Sequence, residues 1–215
     1  MSGGAVGRIV RVCIALAGIH SLLASRQAKH LVRQIAGPRY RNGLYRLAYN
    51  AQSVLLLAWA ARWFSRLPDR ELYRANPPWS WLFRVGQAAS LGVLLSGVRV
   101  IGPLDFAGVT QLRGLLAGHD PGPEPEAQGP PISADGEMAT DEVFHLTRHP
   151  SNLGVVGFFL LFPRMTANRA VLGALVALYV VLGSLHEEHR LRAAYGVPFE
   201  EYRRKVPFLV PRLPK

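Results

Sequence analysis

Apolar positions in this chain gather into five runs, Ile9–Ser25, Leu44–Phe64, Trp79–Ile101, Ser151–Pro163 and Ala170–Leu185, with arginines crowded at their ends. All but the fourth are near the roughly 20 residues needed to cross a bilayer. Helices of a soluble bundle would return a polar residue every three or four positions. The stretch AVLGALVALYVVLGSL does not. The pattern therefore predicts an all-α, polytopic membrane helix bundle of about five transmembrane helices. The fourth run is the exception: as helix it rises only about 20 Å against a hydrocarbon core of about 30 Å, so it is expected to be tilted, extended or half-inserted. Pro163, Arg164 and Asn168 read as a tight turn into the fifth run. Runs four and five then form a C-terminal helical hairpin, which brings RHPSNLG, from Arg148 to Gly154, to the same membrane face as HEEHRLRAAYG, from His186 to Gly196. Nothing in the pattern reads as a strand.

Lysine and arginine set the expected orientation. The connection after the first run carries Arg26, Lys29, Arg33, Arg39 and Arg41, and the tail carries Arg190, Arg192, Arg203, Arg204, Lys205, Arg212 and Lys215. Both are expected on the cytoplasmic side of an inner (plasma) membrane of bacterial type. The connection holding Arg66, Arg70 and Arg74 then faces outward against the rule, partly offset by Asp69 and Glu71. Arg8 and Arg11 precede the first run as they would in a leader, but no small-residue cleavage site precedes HSLLASRQAK, so the run is read as a mature span.

Three regions follow: residues 1–101 with three spans, a cytoplasmic loop over 102–145, and 146–215 with the hairpin and a cytoplasmic amphipathic tail. Within the loop, 120–142 is rich in proline, glycine and acid and is expected to be a flexible insertion. Before it, IGPLDFAGVTQLRGLLAG reads as an interfacial segment.

Charge alters this picture little. The chain has 215 residues, 49% hydrophobic, with a formal net charge of +11. A nucleic-acid binder would collect its basic residues in one patch, whereas here they are spread over the span ends. Anionic lipid headgroups are the more economical partner, and no nucleic acid or obligate protein partner is expected.

Candidate chemistry sits where the hairpin ends meet. Pro150 suits the first turn of a helix, leaving the N–H groups of Ser151, Asn152 and Leu153 facing an anion, with Arg148 as a forked donor beside them. A plain helix cap is the alternative. Gly154 and Gly157 at helical spacing would let a helix or ligand approach. Glu187 and Glu188 follow an apolar run directly, which is costly without a cationic partner or a polar cavity. His186 with His189, and His145 with His149, share helical faces, yet there is no HExxH and no cysteine pair, so no metal is expected. Cys13 is the single cysteine and excludes an internal disulfide. His20 and Ser21, near the end of the first run, and Tyr45, Asn50 and Gln52, in the second, are expected at a similar depth.

RHPSNLG, an apolar hairpin and then HEEHRLRAAYGVPFEEYRRKVPFLVP resemble the C-terminal signature of the integral-membrane methyltransferases related to isoprenylcysteine carboxyl methyltransferase and phospholipid methyltransferase. HSLLASRQAK and DFAGVTQL are similar to the methanethiol S-methyltransferase and NnrU-like branch. The resemblance implies S-adenosylmethionine as cofactor, bound by Arg148, His149, Pro150, Ser151, Asn152, Gly154, His186, Glu187, Glu188, Tyr202 and Arg203. Arg148, His149, His20 and Glu188 are the catalytic candidates, and His20, Ser21, Tyr45 and Asn50 the substrate-binding ones. Asn152 stands where the wider family often has an aromatic residue, which speaks against prenylcysteine or phospholipid substrates and fits the NnrU-like branch better. The NnrU-like likeness also admits a non-catalytic membrane protein that supports an assembly or transport pathway.

Overall fold

A computed structural model describes residues 3–122, 138 and 142–212; most of the acidic insertion lies outside the described residues. The chain divides into two compact units, Met1–Asp69 with Gly102–Glu124, and Arg70–Ile101 with Pro125–Lys215.

In the first unit α1 (Gly3–Ala24) is followed, after the single residue Ser25, by α2 (Arg26–Phe64). Ser25 caps α2, its hydroxyl accepting from Ala28 N at 3.2 Å. The basic connection expected after the first run is thus helical, and the second run is the C-terminal part of α2. A break at Gly37 (φ 84°, ψ 160°), just before Pro38, separates the two parts. Two short helices, α4 (Pro103–Ala107) and α5 (Val109–Leu116), lie against α2. Gly108 between them has φ 87°, and a Cβ there would sit 2.6 Å from Leu47 N, so the turn requires glycine twice over.

In the second unit β1 (Glu71–Arg74), α3 (Trp79–Ile101), a 3₁₀ turn (Glu142–His145), α6 (Pro150–Leu160), β2 (Arg164–Thr166), α7 (Ala167–Tyr195) and α8 (Val197–Lys205) follow in order. The expected absence of strands is corrected: β1 and β2 pair antiparallel, with Arg74 opposite Arg164. The tight turn expected at Pro163–Asn168 therefore contains β2. Glu71 explains why two arginine-bearing segments can pair, since its carboxylate takes Arg74 at 2.9 Å and Arg164 at 2.5 Å. Elements of three and four residues are too short for alternation to reveal them.

α6 packs along α3 through small residues. Gly154 meets Ser90 and Leu94, Gly157 meets Ser90, and Gly97 meets Pro150 and Ser151. The tail turns at Gly196 into α8, which buries Phe199 and Tyr202 with Leu191, Val206 and Met138 while Arg203, Arg204 and Lys205 stay exposed.

Three helices among the described residues are long and apolar enough to cross a membrane: Gly4–Ala24, Trp79–Ile101 and Ala167–Tyr195. α6 is apolar but short, as its run predicted.

Candidate functional site

α6 and α7 form the hairpin, and its open end holds a dense group of charged side chains. Arg148 Nε donates to Glu188 Oε1 at 2.6 Å, and both side chains are 9% exposed. His149, the residue before Pro150 and fully within this group, places Nε2 3.2 Å from Glu188 Oε1 and Nδ1 3.4 Å from Glu187 Oε2. Arg203, from α8, brings Nε within 3.6 Å of Glu188 Oε2. Two guanidinium groups and the His149 ring thus surround two neighbouring carboxylates. This arrangement answers the cost of placing Glu187 and Glu188 at the end of an apolar helix, because each has an opposite charge within reach.

The loop ahead of α6 is fastened to the tail. Arg148 N donates to Pro207 O at 3.0 Å, Arg148 Nη1 to Arg203 O at 3.0 Å and to Val206 O at 2.5 Å, and Thr147 Oγ1 to Phe208 O at 3.1 Å. The Phe208 ring meets His149 edge-on at 5.1 Å and lies 5.6 Å from the Arg148 guanidinium carbon.

The two carboxylates favour the protonated form of His149. Burial works against its charged form, but hydrogen bonds to Glu187 and Glu188, together with their charges, outweigh that and raise its pKa above the ordinary 6.5. A raised folded-state pKa means that the stabilisation is complete below the unfolded value and is lost as pH climbs through the folded one. Thermal unfolding midpoints of the wild type and His149→Gln, followed from about pH 6 to about pH 9, should therefore differ most at the acid end and converge toward the alkaline end. A gap independent of pH would mean that the uncharged ring does the same work.

Other predicted residues are placed differently. Asn152 is half-buried and donates through Nδ2 to Ser184 Oγ at 2.8 Å, tying α6 to α7. Ser151 Oγ lies 3.3 Å from Leu94 O on α3. Leu153 N is not available to an anion, since it bonds His149 O at 2.9 Å inside the helix. Gly154 packs against the backbone of α3, where an added Cβ would meet Ser90 O and Leu94 N. His186 is exposed and lies about 160° around α7 from Glu188, so it does not join the cluster. Tyr202 is buried with its hydroxyl donating to Phe144 O at 2.9 Å, and burial holds its phenol far above its ordinary pKa. It anchors α8.

His20, Ser21, Tyr45 and Asn50 belong to the first unit. His20 Nε2 is 2.5 Å from Tyr49 OH and Nδ1 3.3 Å from Ser53 Oγ. Tyr45 OH donates to Leu23 O, and Asn50 Nδ2 to Phe106 O at 2.8 Å. Ser21 is exposed.

The sequence reading passed over Thr147, Ser184 and Phe208 in the second unit, and Tyr49 and Ser53 in the first. Thr147 and Ser184 are fully buried polar side chains. Tyr45, Tyr49 and Ser53 recur at a spacing of four, which was the available signal for one polar face on α2. Among the described residues no group of three or more His, Cys, Asp or Glu side chains is arranged to hold a metal ion.

No protein-family model matches the chain, and no solved structure matches it. Curated proteins do. The methanethiol S-methyltransferase of Mycobacterium tuberculosis is 27% identical over 216 residues, covering 96% of this chain and 80% of that protein. That of Pseudomonas deceptionensis is 23% identical over 201 residues, covering 90% of this chain and 68% of that protein. Methanethiol S-methyltransferase 2 of Bradyrhizobium diazoefficiens is 36% identical over 74 residues, where the match spans 34% of this chain and only 29% of that protein's length. These similarities, low in identity but agreeing in name, support a membrane methyltransferase family of the methanethiol S-methyltransferase branch for this chain.

Proposed function

We propose that the protein is an integral-membrane methyltransferase that uses S-adenosylmethionine and methylates a small thiol of the methanethiol kind or another lipophilic acceptor. It is read as an inner-membrane protein of about five spans with its C-terminus cytoplasmic. The observation that carries the reading is the Arg148–Glu188 pair at 2.6 Å, with His149 and Arg203 around it, at the open end of the hairpin. The relatives' names agree with it.

The donor set fits the carboxylate and the ammonium that the cofactor carries together at its amino-acid end. Arg203 is exposed and suits a carboxylate; Glu187, with 23% of its side chain accessible, suits an ammonium or a ribose hydroxyl. Arg148 Nε and Nη1 are engaged by Glu188 and the tail. The side chain positions Glu188 and the tail. S-adenosylmethionine, when bound, supplies an electrophilic methyl group on a sulfonium. The chain's own part is to align, to exclude water and to favour the anionic form of the acceptor. A thiol titrates near 8.5 in its cysteine-like form, and a guanidinium beside it, such as that of Arg203, would lower that value.

Calorimetry on the purified protein in detergent tests the reading. The wild type should bind S-adenosylmethionine, and Glu187→Gln and Arg203→Gln should each weaken binding about tenfold or more. Labelled cofactor offered with volatile thiols, prenylcysteine and lipid amines then identifies the acceptor. A folded wild type that does not bind the cofactor would favour the second reading, a non-catalytic NnrU-like protein. The engagement of both His149 nitrogens and two Arg148 nitrogens by the chain itself supports that alternative.

A further inference from the structure

We propose that residues 207–210 form a strap over the open end of the hairpin, pivoting at Val206, that lifts to admit the cofactor and refastens over it. This deepens the methyl-transfer reading and rests on it for the identity of the ligand.

The four main-chain oxygens that tie the tail to Thr147 and Arg148 divide into two pairs. Arg203 O and Val206 O, both taken by Arg148 Nη1, belong to α8 and the residue that ends it. Val206 is 4% exposed and packed with Leu191, Phe199 and Tyr202, so this pair is anchored. Pro207 O and Phe208 O lie beyond the anchor, held by Arg148 N at 3.0 Å and Thr147 Oγ1 at 3.1 Å. Among the described residues, none from 207 to 212 donates a main-chain hydrogen bond, and Pro207 and Pro211 have no N–H to offer. The strap therefore belongs to no helix or strand ladder, and its polar attachment is two accepted bonds. Val210, just past the Phe208 ring, is 73% exposed. A segment so lightly fastened opens at a free energy well below that of global unfolding.

What lies beneath gives the motion a purpose. The Phe208 ring meets His149 edge-on at 5.1 Å and lies 5.6 Å from the Arg148 guanidinium carbon. Both of those side chains are nearly sealed, at 4% and 9% exposed, whereas Glu187 and Arg203 at the rim are 23% and 42% exposed. The rim can receive the amino-acid end of S-adenosylmethionine with the strap in place. The rest of the cofactor reaches His149 only when Phe208 moves aside. Refastening then lays an aromatic ring and an apolar tail over the site, which excludes water from it.

Hydrogen exchange resolved at single amides reads the strap in the intact protein. The Arg148 amide bonds the strap at Pro207 O, while the Leu153 amide bonds His149 O inside α6. After correction for intrinsic rates, Arg148 should exchange about tenfold or more faster than Leu153 in the ligand-free protein, because lifting the strap frees one and not the other. Phe208→Ala should speed Arg148 about tenfold further and leave Leu153 unchanged. Saturating S-adenosylmethionine should slow Arg148, and labelled cofactor should both enter and leave Phe208→Ala faster than the wild type, as a loosened gate requires. Exchange of Arg148 and Leu153 at one common rate would overturn the proposal, since the strap would then leave only when the hairpin unfolds. Faster exchange at Arg148 in the loaded protein would overturn the refastening, and unchanged entry and release in Phe208→Ala would overturn the gate. A folded wild type that binds no S-adenosylmethionine would sink the methyl-transfer reading and the gate's ligand with it, while the ligand-free comparison of the two amides still decides whether the strap lifts.

Discussion

Glu188→Ala should abolish cofactor binding and methyl transfer and lower stability by about 3–5 kcal/mol, the range found when one partner of a buried ion pair is removed. The size follows from how much one carboxylate does. Its Oε1 receives both the Arg148 guanidinium and the His149 ring, and its Oε2 faces Arg203. Alanine would leave Arg148, Arg203 and the His149 ring turned toward one another with Glu187 alone to offset them. Glu188→Gln keeps the shape and one acceptor oxygen but not the charge. It should retain more thermal stability than Glu188→Ala while still failing to bind S-adenosylmethionine, which separates collapse of the fold from loss of the site. Unfolding midpoints and calorimetry on the two variants in one detergent provide the comparison. Unchanged stability in Glu188→Ala would show that the pair contributes nothing net.

Gly154→Val is expected to have the second largest effect. Even the first carbon of a side chain would lie 2.5 Å from Ser90 O and 2.7 Å from Leu94 N, both of them backbone atoms of α3 that no rotamer change can move. The helices must separate, and overpacking of this kind costs about 1–3 kcal/mol or more. Because Pro150 and Ser151 touch Gly97 on the same seam, displacement of α6 should also disturb Arg148 and His149 just before it. Gly183→Ala is the contrast: nothing lies within 4 Å of its added carbon, so stability should stay at or slightly above the wild-type level and activity should be kept. Unfolding midpoints of the two variants decide whether the seam, and not glycine content, holds α6.

Long-range placement was legible in the sequence where apolar length and buried charge coincide. Two charged clusters flanking a helical hairpin had to share one end of it, and Arg148 and Glu188 do meet there. Gly154 and Gly157 announced a close approach, although only the structure shows that a helix makes it. What stayed illegible depends on contacts with no local pattern. β1 and β2 are held by Glu71 bridging Arg74 and Arg164, some ninety residues apart in sequence. Ser184 and Thr147 are ordinary small polar residues until the fold buries them. Tyr202 and Phe208, both aromatic, do opposite things: one is sealed under α8, the other caps the charges. His186 looked equivalent to its acidic neighbours in a string of letters, but helical phase turns it away.

All four hydrogen bonds from Thr147 and Arg148 to residues 203–208 end on main-chain oxygens. Every amino acid carries such an oxygen, proline included. The clasp therefore senses the course of the polypeptide and is indifferent to the identities of the amino acids along it. Substitutions there can retune what Arg203 or Phe208 presents to a visitor without unfastening the loop, provided the path itself is kept.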